Sequence, residues 1–155
     1  MAVTADRRGV WMADVSRKHV TLRTAVARGL VCLRPAALRR VLDGHIPKGN
    51  VLDAARLAGI MAAKRTPDIV PLCHPIRLTH VAVDLAYVDC GLEITATAAA
   101  RERTGVEMEA LFAVSAAALT VYDMCKPIDP AAVITDIRLL EKRGGRSGSY
   151  IRKER

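Results

Sequence analysis

The stretch LTHVAVDLAYVDCGLEITATAAA, residues 78–100, decides the fold. From Leu78 to Val88 its apolar side chains alternate, so Val81, Val83, Leu85 and Tyr87 share one face of a strand. Cys90-Gly91 reads as the turn. Leu92 to Ala100 reads as the partner strand, with Leu92, Ile94, Ala96 and Ala98 on one face. A connection this short makes the pair antiparallel.

Upstream, Lys48-Gly49-Asn50 opens a helix that runs to about Lys64. Its Ala54, Ala55, Ala58, Gly59, Ala62 and Ala63 are small and let another element approach closely. Thr66 to Pro75 reads as an extended loop bounded by prolines. Pro35 to Leu42 forms a shorter helix, with proline at its start and Gly44 closing it. Residues 19–33 mix Val20, Leu22, Val26, Leu30, Val31 and Leu33 with Thr21 and Thr24, and read as a strand or bent hairpin. Downstream, a helix from about Gly105 to Cys125 is apolar on nearly every side, which implies burial. Pro127 stops it, and Val133 to Leu140 reads as the last strand. Strand, two helices, two strands, helix, strand is the split order of the ferredoxin-like α+β class. The expected architecture is an antiparallel four-stranded sheet with helices packed on one face. The other face also needs cover, and a second copy of the chain can supply it.

A length of 155 residues suits one domain. Residues 1–14 read as a flexible N-terminal arm, 15–149 as a single catalytic domain and 150–155 as a basic C-terminal tail. The aromatics are few: Trp11, Tyr87, Phe112, Tyr122 and Tyr150. That shortage argues against base stacking on nucleic acid. The net charge is +8, and Lys142, Arg143, Arg146, Arg152, Lys153 and Arg155 crowd the end of the chain. Such an excess favours an anionic partner, a phosphorylated substrate among them; the plain alternative is a solvated tail. Cys32, Cys73, Cys90 and Cys125 have no metal-type spacing. The apolar run Ala110–Val121 is too short for a bilayer, and the start of the chain lacks a signal core. The expected location is the cytoplasm.

Five groups of residues can carry chemistry. Asp123 and Lys126 lie three apart near a helix end and share a face; the apolar flanks Tyr122, Met124 and Cys125 suggest a pocket wall rather than a surface. Lys48-Gly49 precedes a helix start, where backbone N–H groups attract anions. In Leu72-Cys73-His74-Pro75, neighbouring side chains of extended chain point apart, so Cys73 and His74 do not form a nucleophilic pair. Glu107 and Glu109 suit the positive end of the long helix, yet cannot face the same way. Arg23 can grip phosphate bidentately, or can be a solvated edge-strand arginine.

Together these runs resemble the cyclic pyranopterin monophosphate synthase family of the molybdenum-cofactor pathway, the MoaC family. The likeness extends from about Met12 to Ser149. It rests on Pro47-Lys48-Gly49, the run Ala54–Thr66, Pro71-Leu72-Cys73-His74-Pro75, Thr104-Gly105-Val106-Glu107-Met108-Glu109, Tyr122-Asp123-Met124-Cys125-Lys126 and Gly144-Gly145-Arg146-Ser147-Gly148. The resemblance implies a lyase that converts (8S)-3′,8-cyclo-7,8-dihydroguanosine 5′-triphosphate to cyclic pyranopterin monophosphate and releases diphosphate. It implies Asp123, Lys126 and Lys48 as catalytic residues. Leu72, Cys73, His74, Glu107, Met108, Glu109, Arg23, Lys64 and Arg146 are implied to bind substrate. It further implies a homohexamer, a trimer of dimers with sites at the dimer interface. No tightly bound cofactor or metal is expected beyond magnesium accompanying the triphosphate, and neither nucleic acid nor membrane as partner. Two positions depart from the family pattern: Asn50 replaces an aspartate and Phe112 a threonine. They motivate an alternative, a catalytically impaired paralogue; a basic RNA-binding module is the more distant one.

Overall fold

The structure is a computed structural model that describes residues 9–146 and 148–153. Among these the elements run β1 (Thr21–Cys32), α1 (Pro35–Leu42), α2 (Val51–Lys64), α3 (Thr66–Ile69), β2 (Leu78–Val88), β3 (Gly91–Glu102), α4 (Glu107–Cys125), β4 (Val133–Arg143) and β5 (Tyr150–Ile151). The sheet order is β2-β3-β1-β4-β5, with every neighbouring pair antiparallel. The first four strands carry the ferredoxin-like order that the sequence implies.

The alternation in β2 and β3 becomes a buried face. Leu92, Ile94, Ala96 and Ala98 are fully buried, and in register opposite them Val31, Ala27 and Ala25 of β1 are buried too. Helix α4 lies on this face, with Ala110, Ala113, Val114, Ala117, Ala118 and Val121 in the core. Gly29 makes the approach possible: a β-carbon there would stand 2.7 Å from Val114 Cγ1. Gly59 does the same for α2, where a β-carbon would come within 2.9 Å of the Ala113 carbonyl oxygen. The small-residue face of α2 therefore packs against α4. On the opposite sheet face Thr24, Val26, Arg28 and Leu30 remain half-buried.

Four expectations change. The sheet has five strands rather than four, because Tyr150 and Ile151 pair with Lys142 and Glu141, and the Arg152 N–H donates to the Leu140 carbonyl at 2.8 Å. Residues 66–75 are not wholly extended: Thr66–Ile69 form the short helix α3, with Pro67 in its first turn and the Thr66 hydroxyl bonded back to the Ala63 carbonyl at 3.0 Å. Strand β4 runs three residues beyond Leu140. It absorbs a bulge in which Asp136 and Ile137 face Gly29 alone, with Asp136 at φ 57°. Helix α4 is buried on one side only: nine of its 19 residues are buried, while Leu119 is 61% exposed. It is long and apolar enough to cross a bilayer by composition, but that composition serves its packing on α2 and the sheet. Of the arm at 1–14, residues 1–8 lie outside the described residues, as do Ser147, Glu154 and Arg155.

Candidate active site

Helix α4 ends at Cys125, and its last turn carries Asp123 and leads into Lys126. A carboxylate here faces the negative end of the helix dipole, which disfavours it. Two ammonium groups compensate. Lys126 Nζ meets Asp123 Oδ1 at 2.7 Å, and Lys48 Nζ meets Asp123 Oδ2 at 2.5 Å. Lys48 also donates to the Asp123 backbone carbonyl at 3.3 Å. Lys48 reaches this point because the loop after α1 ends in Asn50, which caps α2 by accepting the Asp53 N–H at 3.1 Å. The hydrogen bond from Lys126 first, and that from Lys48 second, hold the Asp123 carboxyl down to about 2, and Asp123 in turn raises Lys126 above the ordinary lysine value. At neutral pH the group is one carboxylate clamped between two cations.

The expectation of an apolar wall is not met within one chain. The Asp123, Lys126 and Lys48 side chains are about half exposed. The cause is helical geometry: successive residues turn by about 100°, so Met124 and Cys125 face the core while Asp123 faces out. Exposed ion pairs contribute only about 0–1 kcal/mol. Stability does not account for two lysines held on one carboxylate.

The other end of α4 holds a second cluster. Glu109 is 2% exposed, and its Oε2 has no hydrogen-bond partner. Burial first, then the nearby Glu107 charge, push its carboxyl above the ordinary range. Cys73 lies near enough to feel Glu109; burial is the main reason its thiol is raised. The neighbouring His74 helps to hold Asp14 low, although the main cause there is the Ser16 hydroxyl. Glu107 pairs with Lys142 at 3.1 Å across the start of the helix. Beside them opens a basin of about 1140 Å³ whose lining includes Lys18, Arg23, Arg103, Lys142 and Arg146, with Glu107 the one acid among the described residues. Arg103 and Lys142 escape the reading from sequence, where Lys142 is merely one of a crowd of bases.

Arg23 is neither solvated nor on an edge: β1 is central, and Arg23 is 8% exposed. Its Nε and Nη2 donate to the carbonyls of Glu102 and Arg103, each at 3.3 Å. The guanidinium therefore shapes the basin rather than presenting a free fork. Gly145, at φ +80°, lies where a β-carbon would collide with Arg23 Nη1, so the Gly144-Gly145 turn exists to accommodate it. Arg146 is exposed just beyond. Helices α2 and α4 run antiparallel, as Lys48 meets Asp123 and Gly59 meets Ala113. Exposed Lys64 at the end of α2 thus lies toward the Glu107 end, where Leu72 and Met108 are exposed too.

The MoaC family model matches residues 12–145, a span that contains both clusters except Arg146. The chain belongs to the MoaC family. It is 58% identical over 142 residues to the cyclic pyranopterin monophosphate synthase of Roseiflexus sp., covering 90% of each chain. It is 56% identical over 151 residues to the protein of that name from Heliobacterium modesticaldum, covering 96% of this chain and 95% of the relative. To that of Streptomyces coelicolor it is 55% identical over 141 residues, 91% and 83% of the two chains. Of this MoaC-family chain's two departures, Asn50 keeps the helix cap, and Phe112 is half-buried on α4.

Glu109 gives the first prediction. The fold favours its neutral form, so the stabilisation is fully present below the ordinary value of 4.5 and is lost as pH rises through the raised value. Glu109→Gln copies the neutral form at every pH. Its melting temperature should match the parent near pH 4 and exceed it near pH 7, by roughly 2–4 °C for each kcal/mol regained. A gap that stays constant with pH would show that Glu109 is not the titrating group.

Proposed function

We propose that this chain converts (8S)-3′,8-cyclo-7,8-dihydroguanosine 5′-triphosphate to cyclic pyranopterin monophosphate with release of diphosphate, acting as a lyase of molybdenum-cofactor biosynthesis in the cytoplasm. The observation that carries the reading is Asp123 held between Lys48 and Lys126, in a chain more than half identical to proteins named for that synthesis. Forming the cyclic phosphate breaks a phosphoanhydride bond, and negative charge grows on the departing diphosphate. Preorganised cations stabilise such charge without reorganising. Lys126, kept protonated by Asp123, serves as the cation that meets this charge, and it can pass a proton onward once substrate displaces that contact; Asp123 keeps it aimed. Cys73, His74, Met108 and Glu109 receive the pterin, and buried neutral Glu109 can donate a hydrogen bond to it. The basin around Arg146 receives the triphosphate. Its acid, Glu107, is already paired with Lys142, and magnesium would enter with the substrate triphosphate.

The two clusters cannot serve one substrate within one chain. Glu107 and Asp123 are 16 residues apart on one helix, which is about 24 Å at 1.5 Å per residue, and α2 packs along the length between them. Each complete site therefore combines the Lys48–Asp123–Lys126 end of one copy with the Glu109–Arg146 end of another. This supports a dimer-interface site in a larger assembly, a hexamer built as a trimer of dimers. Half-buried Val26 and Leu30 on the open sheet face are suited to contact between copies.

The test is turnover of the cyclic dihydroguanosine triphosphate by purified protein, followed by diphosphate release. Arg146→Ala should raise KM about ten-fold or more, the loss of one charge-assisted contact of about 1.5–3 kcal/mol, with kcat little altered. No product from the parent protein would sink the reading. An unchanged KM in the variant would remove Arg146 from the triphosphate site.

A further inference from the structure

Lys126 is the first residue beyond α4, and something must hold the end of that helix still. The Cys125 carbonyl accepts the N–H groups of Ile128 and Asp129, both at 2.9 Å, and Lys126 N–H returns to the Tyr122 carbonyl at 2.8 Å. The turn that makes these bonds is anchored by a carboxylate. Asp129 is 1% exposed, although it lies in a loop between prolines 127 and 130. Its Oδ2 accepts the backbone N–H of Arg34 at 2.7 Å, its Oδ1 accepts Arg34 Nε at 2.7 Å, and Arg34 Nη2 donates to the Ile128 carbonyl at 3.0 Å. The backbone N–H of Arg34 is the largest influence holding the Asp129 carboxyl below its ordinary range, and the Ala131 N–H adds to it.

Arg34 lies two residues beyond β1 and is the N-cap residue of α1, the helix that leads to the Lys48 loop. One buried carboxylate thus ties the end of α4, which carries Asp123 and Lys126, to the end of the central strand and to the start of the segment that delivers Lys48. A helix end without such a tie frays within its last turn.

We propose that Asp129 is a positioning residue for Lys126: its buried carboxylate, fixed by the backbone and side chain of Arg34, sets where the end of α4 presents the ammonium. The inference rests on the reading of Lys126 as catalytic. A misplacement of about 1 Å can cost about 10²-fold in rate. Asp129 touches no reacting atom; it acts through the helix end.

The experiment is a double-variant cycle on the full-length protein. Asp129→Ala should lower kcat by about 10²-fold with KM changed far less. Asp129→Asn, which keeps an acceptor for the Arg34 N–H, should lose much less. It serves as the test variant if the alanine form does not fold. In a Lys126→Ala background, measured in single turnover with enzyme in excess, the further loss from either Asp129 variant should vanish, since there is no ammonium left to misplace. The basic limb of the kcat profile should also move to lower pH in Asp129→Ala, because a displaced Lys126 loses the Asp123 contact that raises it. Equal fold losses in both backgrounds would make Asp129 merely structural, and a parental kcat in both Asp129 variants would overturn the proposal. If instead Lys126→Ala alone retains parental kcat, the reading of the site fails rather than the clamp.

Discussion

Replacing Lys126 by alanine should lower kcat by about 10²–10⁴-fold, the range for a single group that acts as general acid or base. The argument begins with what the lysine does not do. Its ammonium is half exposed and its ion pair with Asp123 lies at 2.7 Å, so solvent screening leaves it little part in stability. Melting of the variant should stay within a few degrees of the parent. Asp123→Asn keeps the shape and removes the charge that both Lys48 and Lys126 contact, so kcat should fall in that variant as well. The three side chains form one unit, and the Asp123→Asn/Lys126→Ala double variant should be little worse than the worse single one. Steady-state turnover with parallel thermal melting decides the matter. A near-parental kcat in either single variant removes that residue from the mechanism, and fully additive losses would mean that the residues act separately.

Two inactive proteins should regain activity when mixed. Lys126→Ala damages the end of α4 that carries Asp123; Glu109→Ala removes the hydrogen-bond donor at the other end, about 21 Å from Asp123 along the helix. If each site draws one end from each of two copies, a mixed dimer holds one site with both lesions and one with neither. Random reassembly of equal amounts then gives about a quarter of the parental activity, since half of the dimers are mixed and each has one intact site. The parents alone should show little, so the rise is large. Subunits are exchanged under mild denaturant, and turnover is measured before and after. No recovery, with exchange verified by mass-tagged subunits, would place both ends' roles within one copy or dissolve the link between the clusters. A monomer in light scattering would have the same force.

The residues of the candidate site stand out in the sequence because family motifs sit on local signals. The i,i+3 spacing of Asp123 and Lys126 fixes that they share a face wherever the helix goes. Asn50 marks the start of α2 by capping it, and the Gly144-Gly145 pair marks a turn. Other signals misled. The apolar neighbours of Asp123 implied a walled pocket, but a helix turns Met124 and Cys125 inward while leaving Asp123 outside. Arg23 could pass for a solvated edge-strand arginine, but the position of β1 at the sheet centre buries it, with two of its donors on backbone carbonyls. Tyr150-Ile151 is too short to signal a strand; it becomes one because β4 exposes an edge beside it.

Sequence by itself determined the ferredoxin-like order, the two faces of the β2–β3 hairpin, the starts of α1 and α2, and membership in a family of lyases. These depend on period and on nearest neighbours, which persist in any conformation that keeps the element. Only the tertiary structure decided that Lys48 meets Asp123 across 75 residues, that Asp129 is sealed against Arg34 across 95, and that Glu109 is buried with its Oε2 unpaired while Glu107 pairs with Lys142. It also decided that the candidate residues divide between opposite ends of α4. Such contacts arise from how α2 and α4 pack through Gly59 and how the sheet orders its strands. Their energies come from burial and long-range closure, and no local pattern records them.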